Sequence, residues 1–471
     1  MYFWLVRRIW CCVVREILQR FDVVVVGAGT GGCTVARRLS SQGFNVGLVD
    51  YKDEASIGDK VCGDAIGKHH FDDLGLEYPR GDELERVILG VKIYSPDMET
   101  TFYIAGEKLH GFMINRHIFG QRLLREALNA GATLLDSMKV VKPVIENGYL
   151  KGVVAKPVKS SESVELRGEV VVDASGASAA VRSKLPPEMG VETQINQEDM
   201  IVAYREIREV KETPPEPDFC NIYLNLEVAP GGYYWIFPKG DMRVNVGLGV
   251  VASSLRNPKE LLYRHVFRRL HRELFEGSSL VHGGGGLVPT RRPLDSVVGN
   301  GFVAIGDAAC HVNPIHGGGI GPSMVGGTIA ADVISKVLEV GKPSREELWP
   351  INVMYMQRYG AKQAGLDVFR IFLQGLTDDL LNYGMRYRLV KEEDVLRASL
   401  GEELRLNITE VTGRIFRGMG RLPFLNRLRR MAKLLKEARA ICQDYPASPE
   451  SFPKWKVRVQ EVFEKAKGLV E

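Results

Sequence analysis

This chain of 471 residues has few cysteines, little net charge and no metal-binding motif. Its seven cysteines include no C-x-x-C pair, which argues against a disulfide framework or a structural zinc site and predicts reduced thiols in the cytoplasm. The nine histidines form no H-E-x-x-H motif, so no metal is expected. A formal net charge of +4 gives no bulk signature of a nucleic-acid partner, and none is expected.

Long uncharged apolar runs are also missing. Residues 1–20 are apolar and basic, but Arg7, Arg8, Arg15 and Glu16 interrupt them, so no stretch approaches the roughly 20 residues of a membrane helix. No small-residue cleavage site follows them. Three interpretations of this N-terminal extension stay open: a short helix on a membrane surface, a strand or helix packed on the first domain, or a start codon assigned too early.

The chain does contain the alternation of buried strands and helices that is typical of an α/β protein. Residues 21–29 have the pattern of a buried parallel strand, a helix follows to about Ser41, and residues 45–50 have the pattern of a second strand. We predict a Rossmann-like dinucleotide-binding domain interleaved with a β-rich substrate domain and followed by a helical C-terminal region. The predicted bounds are 21–86, 111–185 and 286–340 for the first, 87–110 and 186–285 for the second, and 341–471 for the third.

The glycine pattern G-x-G-x-x-G falls between the first predicted strand and helix. Gly27 would permit the tight turn, Gly29 would let the backbone approach a pyrophosphate, and Gly32 would let the helix pack closely on the strand. The helix N-terminus would then offer free N–H groups to the phosphates. Asp50 ends the second strand, where an acid can bind a ribose hydroxyl. Together these features predict a dinucleotide site.

Two later segments distinguish flavin from nicotinamide cofactors. Residues 301–321, GFVAIGDAACHVNPIHGGGIG, and residues 171–182, VVDASGASAAVR, resemble fingerprints of the p-hydroxybenzoate hydroxylase-like flavoprotein superfamily. The resemblance implies FAD. It also implies further cofactor-binding roles for Arg116, Gly176, Asp307, Gly318, Gly319 and Ile320. Ser175 departs from the superfamily pattern, where many hydroxylases have aspartate, and Arg116 has the alternative role of a surface helix-capping residue.

Two more motifs narrow the resemblance. Residues 230–238, PGGYYWIFP, match P-x-x-Y-x-W-x-F-P, and residues 60–67, KVCGDAIG, place a cysteine in a glycine-containing loop. With the flavin loops they resemble the geranylgeranyl reductase family over about residues 21–340. The resemblance implies that Cys62 and Gly63 lie near the flavin and makes Cys62 a candidate catalytic residue. The alternative for Cys62 is a small buried side chain in a loop.

The aromatic motif predicts a substrate wall. Tyr233, Trp235 and Phe237 alternate along a predicted strand and therefore face the same side. Such a stripe could line a channel for a polyisoprenyl chain. An ordinary sheet core is the alternative.

The resemblance implies an FAD-dependent reductase that saturates C=C bonds of geranylgeranyl chains in archaeal membrane-lipid precursors. Hydride would come from the reduced flavin, with a proton from an acid that the sequence does not identify. One alternative is a flavin monooxygenase or halogenase of the same superfamily, although the halogenase W-x-W-x-I-P signature is missing. Another is an electron-transfer flavoprotein, although the chain has no cluster-binding cysteine set. A non-enzymatic flavin scaffold is a third.

The electron donor and the route to a lipid are less visible. Ferredoxin, a reduced deazaflavin and NADPH all stay open as donors. The glycine run 283–286 lacks a strand–turn–helix context for NADPH, and a tight turn is expected there. Residues 414–439 are basic with interspersed apolar side chains, which favours either a helix on anionic headgroups or a solvated surface helix. We predict a cytoplasmic protein held peripherally at the inner face of the cell membrane.

Overall fold

The computed structural model describes residues 17–106, 110–160, 162–393 and 421–470. The strands, in chain order, are β1 Ile17–Arg20, β2 Val23–Val26, β3 Val46–Val49, β4 Ala65–Gly67, β5 Leu84–Ile88, β6 Gly90–Tyr94, β7 Thr101–Ala105, β8 Gly111–Ile114, β9 Thr133–Leu135, β10 Met138–Glu146, β11 Tyr149–Pro157, β12 Val164–Arg167, β13 Val170–Asp173, β14 Met200–Glu209, β15 Phe219–Tyr223, β16 Tyr233–Pro238, β17 Arg243–Val251, β18 Ser279–Pro289, β19 Val298–Gly299 and β20 Phe302–Ala304. The α-helices are α1 Thr30–Ser41, α2 Lys68–Leu74, α3 Arg116–Asn129, α4 Pro258–Leu261, α5 Arg272–Phe275, α6 Ile320–Val340, α7 Arg345–Leu348, α8 Pro350–Tyr355, α9 Ala361–Gln374, α10 Asp378–Arg386, α11 Leu422–Gln443 and α12 Phe452–Lys467.

A six-stranded sheet in the order β19-β20-β13-β2-β3-β9 forms the first layer. All of its strand pairs are parallel except β19 with β20. Its central strand β2 is a run of four buried valines, which suits a parallel strand covered on both faces. Helix α1 packs on β2 and β3, and α3 and α6 pack against α1. A smaller sheet, β1-β12-β11-β10, contacts β13 and β2. The glycine loops therefore meet at the carboxyl ends of β2, β13 and β20.

The second large sheet has the order β18-β14-β17-β16-β15-β6-β7. Its strand β17 alternates strictly: Val244, Val246 and Leu248 enter a core that is closed by the helical run 258–275. Asn245 and Gly247 therefore point to the opposite face. That opposite face looks toward the glycine loops of the first sheet, and the functional residues of this sheet lie there.

The expected tight turn at residues 283–286 is wrong. These four glycines lie in the extended strand β18 and pair with β14, with Gly286 opposite Ala203 and Gly285 opposite Tyr204. A glycine run carries no alternating side chains, so nothing in it signals a strand. The absence of a side chain at Gly284 lets the loop that carries Cys62 lie close to β18, because a Cβ there would lie 2.7 Å from Cγ2 of Val61 in that loop.

The two ends of the chain bear on the membrane question. Residues 17–20 form β1, a strand that pairs in parallel with β12, while residues 1–16 lie outside the described part of the chain. Of the predicted basic segment 414–439, residues 414–420 also lie outside it. Residues 422–439 belong to α11, whose N-cap is Arg421 and whose apolar face is buried against α9. No helix within the described residues is both long enough and apolar enough to cross a membrane. The domain bounds given above remain predictions.

Candidate cofactor and substrate site

A cavity of about 1400 Å³ lies between the carboxyl edge of the six-stranded sheet, the inner face of the seven-stranded sheet and the C-terminal helices. This volume exceeds the roughly 300–1,000 Å³ of a pocket for one drug-sized ligand, so it has room for a cofactor together with a substrate chain. Almost all of the predicted site residues line it: Gly27, Gly29, Asp50, Cys62, Gly63, Arg116, Gly176, Tyr233, Trp235, Phe237, Asp307, Gly318, Gly319 and Ile320. Gly32 lies behind the wall.

The first glycine turn has the geometry that a phosphate cradle requires. Gly27 has φ +105°, and a Cβ there would lie 2.4 Å from the carbonyl oxygen of Ala174. A Cβ on Gly32 would lie 1.9 Å from the carbonyl oxygen of Gly27, so only glycine lets α1 pack this close to the turn. Gly29 has open space in front of it. It is followed by the first turn of α1, whose N–H groups have no side-chain cap.

Asp50 holds this turn in place. One carboxylate oxygen accepts a hydrogen bond from the N–H of Ala28 at 2.7 Å, and the other accepts from the N–H of Lys52 at 2.9 Å. Each oxygen keeps a further lone pair, and the side chain borders the cavity. The carboxylate can therefore accept a ligand hydroxyl without giving up its structural bonds.

Arg116 lines the cavity with a buried guanidinium that lacks hydrogen-bond acceptors for two of its nitrogens within the described residues. Its side chain is 6% exposed, and its Nε and Nη1 have no hydrogen-bond partner among the described residues. Burying a guanidinium with two nitrogens left without acceptors is costly, and an anionic group would remove that cost. This geometry fits a phosphate in the cavity and does not fit the alternative of a surface helix cap, since the side chain is buried.

The second flavin-type loop begins α6. This helix starts at Ile320 with Gly319 as its N-cap and no side-chain cap, so its positive end points to the cavity. Asp307 borders the same corner, 3.0 Å from Nζ of Lys60. A Cβ on Gly319 would lie 3.2 Å from Oδ1 of Asp307, which keeps this loop and the carboxylate close together.

The middle motif is organised by Asp173, which sequence reasoning missed. This fully buried carboxylate accepts hydrogen bonds from the N–H groups of Val181 and Arg182 and from Oγ of Ser175. Ser175, the departure from the superfamily pattern, thus braces the loop, and Gly176 stays open to the cavity at φ +72°. The sequence pattern that could have identified Asp173 is an acidic residue at the end of a strand of buried valines.

The aromatic stripe lies along β16 as the alternation predicts. Trp235 and Phe237 are each 8% exposed, and the rings of Tyr233 and Trp235 are 5.9 Å apart. A Cβ on Gly247 of the neighbouring strand would lie 2.3 Å from the indole, so glycine makes the space in which Trp235 lies. The Tyr233 hydroxyl donates to the carbonyl of His316, 2.8 Å away, and joins the stripe to the second flavin-type loop.

Cys62 is half-buried and its open side borders the cavity. Desolvation raises the pKa of its thiol, and the carboxylate of Asp64 raises it further. The thiol is therefore protonated at neutral pH. Its loop is held from behind by Arg205, Lys239 and Asn245, which carried no recognisable motif in the sequence.

Beyond the aromatic stripe the cavity becomes apolar. The second sheet contributes Val91, Ile93, Phe102, Ile104 and Ile222 to this part, and Ile88 at the end of β5 adjoins them. The C-terminal helices contribute Leu366, Phe369, Phe372, Leu373, Leu381 and Phe424. None of these side chains can form a hydrogen bond with a ligand. It is suited to a long hydrocarbon chain.

The fold is shared with solved flavin-dependent enzymes, and this likeness confirms the predicted α/β fold class. The chain is similar to a flavin-dependent brominase, with a TM-score of 0.64 and 18% identity over 85% of this chain and 100% of that one. It is also similar to a geranylgeranyl bacteriochlorophyll reductase-like protein from Thermoplasma acidophilum, with a TM-score of 0.73 and 25% identity over 84% and 100%. The first likeness concerns the fold alone.

Sequence comparison identifies the family. Residues 199–288 match the model of the geranylgeranyl reductase catalytic domain. The chain is 42% identical to a digeranylgeranylglycerophospholipid reductase of Sulfolobus acidocaldarius over 94% of this chain and 97% of that protein. It is 32% identical to a protein of the same name from Methanothrix thermoacetophila over 83% and 96%. The chain belongs to the digeranylgeranylglycerophospholipid reductase family, which confirms the predicted resemblance.

Proposed function

We propose that this protein is an FAD-dependent reductase that saturates the C=C bonds of geranylgeranyl chains in a phospholipid precursor. The observation that carries the proposal is one continuous cavity in which glycine turns lead into an apolar compartment. A buried arginine, two of whose nitrogens lack acceptors within the described part of the chain, lies beside those turns. A dinucleotide cofactor suits the first part and an isoprenoid chain suits the second. The name and close similarity of the two archaeal relatives support the same substrate class.

The predicted cofactor residues divide by the part of FAD that each would hold. Gly27, Gly29 and the first turn of α1 would bind the pyrophosphate, and Arg116 would neutralise its charge. Asp50 would accept a ribose hydroxyl, and Asp307 a hydroxyl of the ribityl chain. Gly63, Gly176, Gly318, Gly319 and Ile320 would line the flavin ring and its surroundings.

Saturation of an isolated alkene requires one hydride at the tertiary carbon and one proton at the neighbouring carbon. Bound reduced flavin supplies the hydride. Tyr233, Trp235 and Phe237 would hold the alkene and exclude water from it. The protonated thiol of Cys62 borders the same space and is the candidate acid.

The test is anaerobic reduction of the FAD-loaded protein with dithionite, followed by addition of digeranylgeranylglyceryl phospholipid and mass spectrometry of the lipid. We expect mass gains of two hydrogens per double bond, and of two deuteriums per double bond when the reaction is run in D2O, because the N5–H of reduced flavin exchanges with solvent. A flavin that is reoxidised while the lipid stays unchanged would contradict the proposal.

The same assay tests Cys62. We expect Cys62→Ala to keep the flavin spectrum and lose most of the lipid saturation. Cys442→Ala is the matched control, because that buried thiol lies in α11 and does not border the cavity. Equal rates in the two variants would remove Cys62 from the chemistry.

We also propose that the protein reaches its lipid from the membrane surface. The apolar face of α11 is buried, so the contact would be electrostatic, through exposed basic residues such as Arg429, Arg430 and Lys433. Co-sedimentation should occur with anionic vesicles and not with neutral ones, and should weaken with salt. Binding that ignores vesicle charge would contradict this.

An external molecule would supply the electrons for each further double bond. Ferredoxin, a reduced deazaflavin and NADPH are compared by mixing each with the oxidised protein without oxygen. The donor that bleaches the flavin absorbance within the turnover time of the enzyme is the partner. Failure of all three would point to a different reductant.

A further inference from the structure

Asn245 is a buried amide at the junction of two functional elements. It is 0% exposed on β17. Its Oδ1 accepts a hydrogen bond from Nε1 of Trp235 at 2.9 Å. Its Nδ2 donates to the carbonyl of Cys62 at 2.8 Å and to Oδ2 of Asp64 at 2.9 Å. Both N–H groups of the amide are therefore used, and they bond the loop that carries the candidate acid, while the oxygen bonds the aromatic stripe.

The position of Asn245 follows from the neighbouring glycine. Gly247 on β17 pairs directly with Trp235 on β16, and its missing side chain leaves room for the indole to lie over β17. The indole N–H then falls beside residue 245, two positions away on that face. A side chain at this position can reach both the tryptophan and the loop in front of the sheet.

The Cys62 loop depends on such side chains for its conformation. Asp64 has φ +63°, a left-handed conformation that is unfavourable for most residues. Its carboxylate also accepts from Nζ of Lys239 at 2.8 Å. Arg205 donates from Nε to the carbonyl of Cys62 at 3.1 Å and from Nη2 to that of Lys60 at 3.2 Å. The sheet therefore sets the loop through polar side chains that lie behind it.

We propose that Asn245 is a positioning residue that ties Trp235 to the backbone of Cys62, so that the substrate wall and the thiol keep a fixed distance. Asn245 does not border the cavity, so it would act on substrate and cofactor only through Trp235 and the Cys62 loop. The catalytic consequence rests on the proposed function, because Cys62 and Trp235 would flank the reacting alkene. The mechanical link does not rest on it.

The test variant is Asn245→Asp, which keeps the shape and the acceptor for Trp235. It replaces the amide NH2 group with a carboxylate oxygen next to the Cys62 carbonyl and the Asp64 carboxylate. Because these three oxygens repel one another, we expect the loop to move away from β17. We expect the rate of Cys62 alkylation by iodoacetamide, followed on its peptide by mass spectrometry, to change at least about tenfold with and without FAD. We expect kcat to fall at least about tenfold while KM for the lipid changes little, since a small misplacement of reacting groups costs this much.

Rescue separates positioning from general damage. Combining Asn245→Asp with Asp64→Asn exchanges the two groups, so that an amide at position 64 can donate to the new carboxylate. Asparagine also tolerates the left-handed conformation at position 64. We expect the double variant to lie closer to the parent than to Asn245→Asp in both readouts.

Asn221→Asp is the matched control, because Asn221 is buried in β15 of the same sheet. Within the described residues its side chain bonds to Tyr94 and to the carbonyls of residues 215, 216 and 219, and not to the Cys62 loop. Among folded protein, its Cys62 alkylation should match the parent.

Parental alkylation and kcat in Asn245→Asp would overturn the proposal. If that variant does not fold, Asn245→Ser is measured against the same expectations. A parent protein that leaves the lipid unchanged would sink the proposed function, while the alkylation rates would still decide the role of Asn245.

Discussion

At the scale of single residues, Arg116 leads to a prediction about the affinity of the protein for FAD. Its guanidinium is buried beside the cavity without acceptors for two of its nitrogens. We predict that Arg116→Met weakens FAD binding by about 1.5–3 kcal/mol, the usual worth of a hydrogen bond to a charged group. Titration of the apoprotein with FAD measures it.

Arg122→Met is the control for this prediction. Arg122 lies on the same helix α3 but pairs with Glu83 at 3.1 Å, and it does not border the cavity. Its FAD affinity should equal that of the parent. Equal affinities in both variants and the parent would show that Arg116 does not meet the phosphate.

His311 gives a prediction about pH at the same scale. Its ring is 1% exposed and stacked on Tyr355 at 3.6 Å, and burial lowers its pKa to about 3. The unfolded chain takes up a proton near pH 6.5 and the native protein does not. The stabilising contribution is therefore complete above about pH 6.5 and is lost as the pH falls, by about 2 kcal/mol at pH 5.

Urea unfolding at pH 7 and pH 5 measures this loss. We expect His311→Asn to be less stable than the parent at pH 7, because the stacking is gone, but to lose less stability between the two pH values. An identical loss in parent and variant would mean that His311 is protonated in the native protein.

At the scale of elements, the pairing of β16 with β17 depends on one missing side chain. A Cβ on Gly247 would lie 2.3 Å from Cζ2 of Trp235 and 2.7 Å from Cβ of Arg205. We predict that Gly247→Ala destabilises the protein by about 1–3 kcal/mol and displaces the indole, since overpacked sites relax at that cost. Urea unfolding and lipid turnover measure the two effects.

Gly286→Ala provides the comparison, because a Cβ there meets no atom within 4 Å. It lies in β18 of the same sheet, and its stability should stay within about 1 kcal/mol of the parent. If both alanine variants were equally stable, the close contact at Gly247 would not constrain the sheet.

At the scale of the whole molecule, function depends on the apolar compartment between the second sheet and the C-terminal helices. Ile222 borders it and pairs directly with Trp235 across β15 and β16. We predict that Ile222→Trp leaves FAD binding unchanged but costs about 1–3 kcal/mol of lipid binding, because the added ring occupies space meant for the chain. Mass spectrometry should then show fewer saturated bonds per lipid.

Val87→Trp is the control for bulk alone. Val87 is 47% exposed on β5 and does not border the cavity. The product distribution of this variant should match the parent. An unaltered distribution in Ile222→Trp would mean that the isoprenoid chain lies elsewhere.

Much of the site could be predicted from the sequence where a local backbone demand fixes the residue type. Gly27 needs a positive φ and Gly32 must admit a neighbouring carbonyl, so the turn has a recognisable pattern. The valines of β2 and the alternation of Tyr233, Trp235 and Phe237 were equally legible, because buried parallel strands and one-sided strands impose different periods. Glycines 283–286 were misread because a strand without side chains has no period.

What the sequence alone determined were the two cofactor turns, the aromatic stripe and the family to which they belong. Only the tertiary structure decided which polar residues stand behind the site. Asn245 and Cys62 are 183 residues apart, and Arg205 and Cys62 are 143 apart. A hydrogen bond across such a separation depends on how two sheets meet, and no local pattern in the chain records it, because each partner by itself is an ordinary polar residue in a loop or a strand.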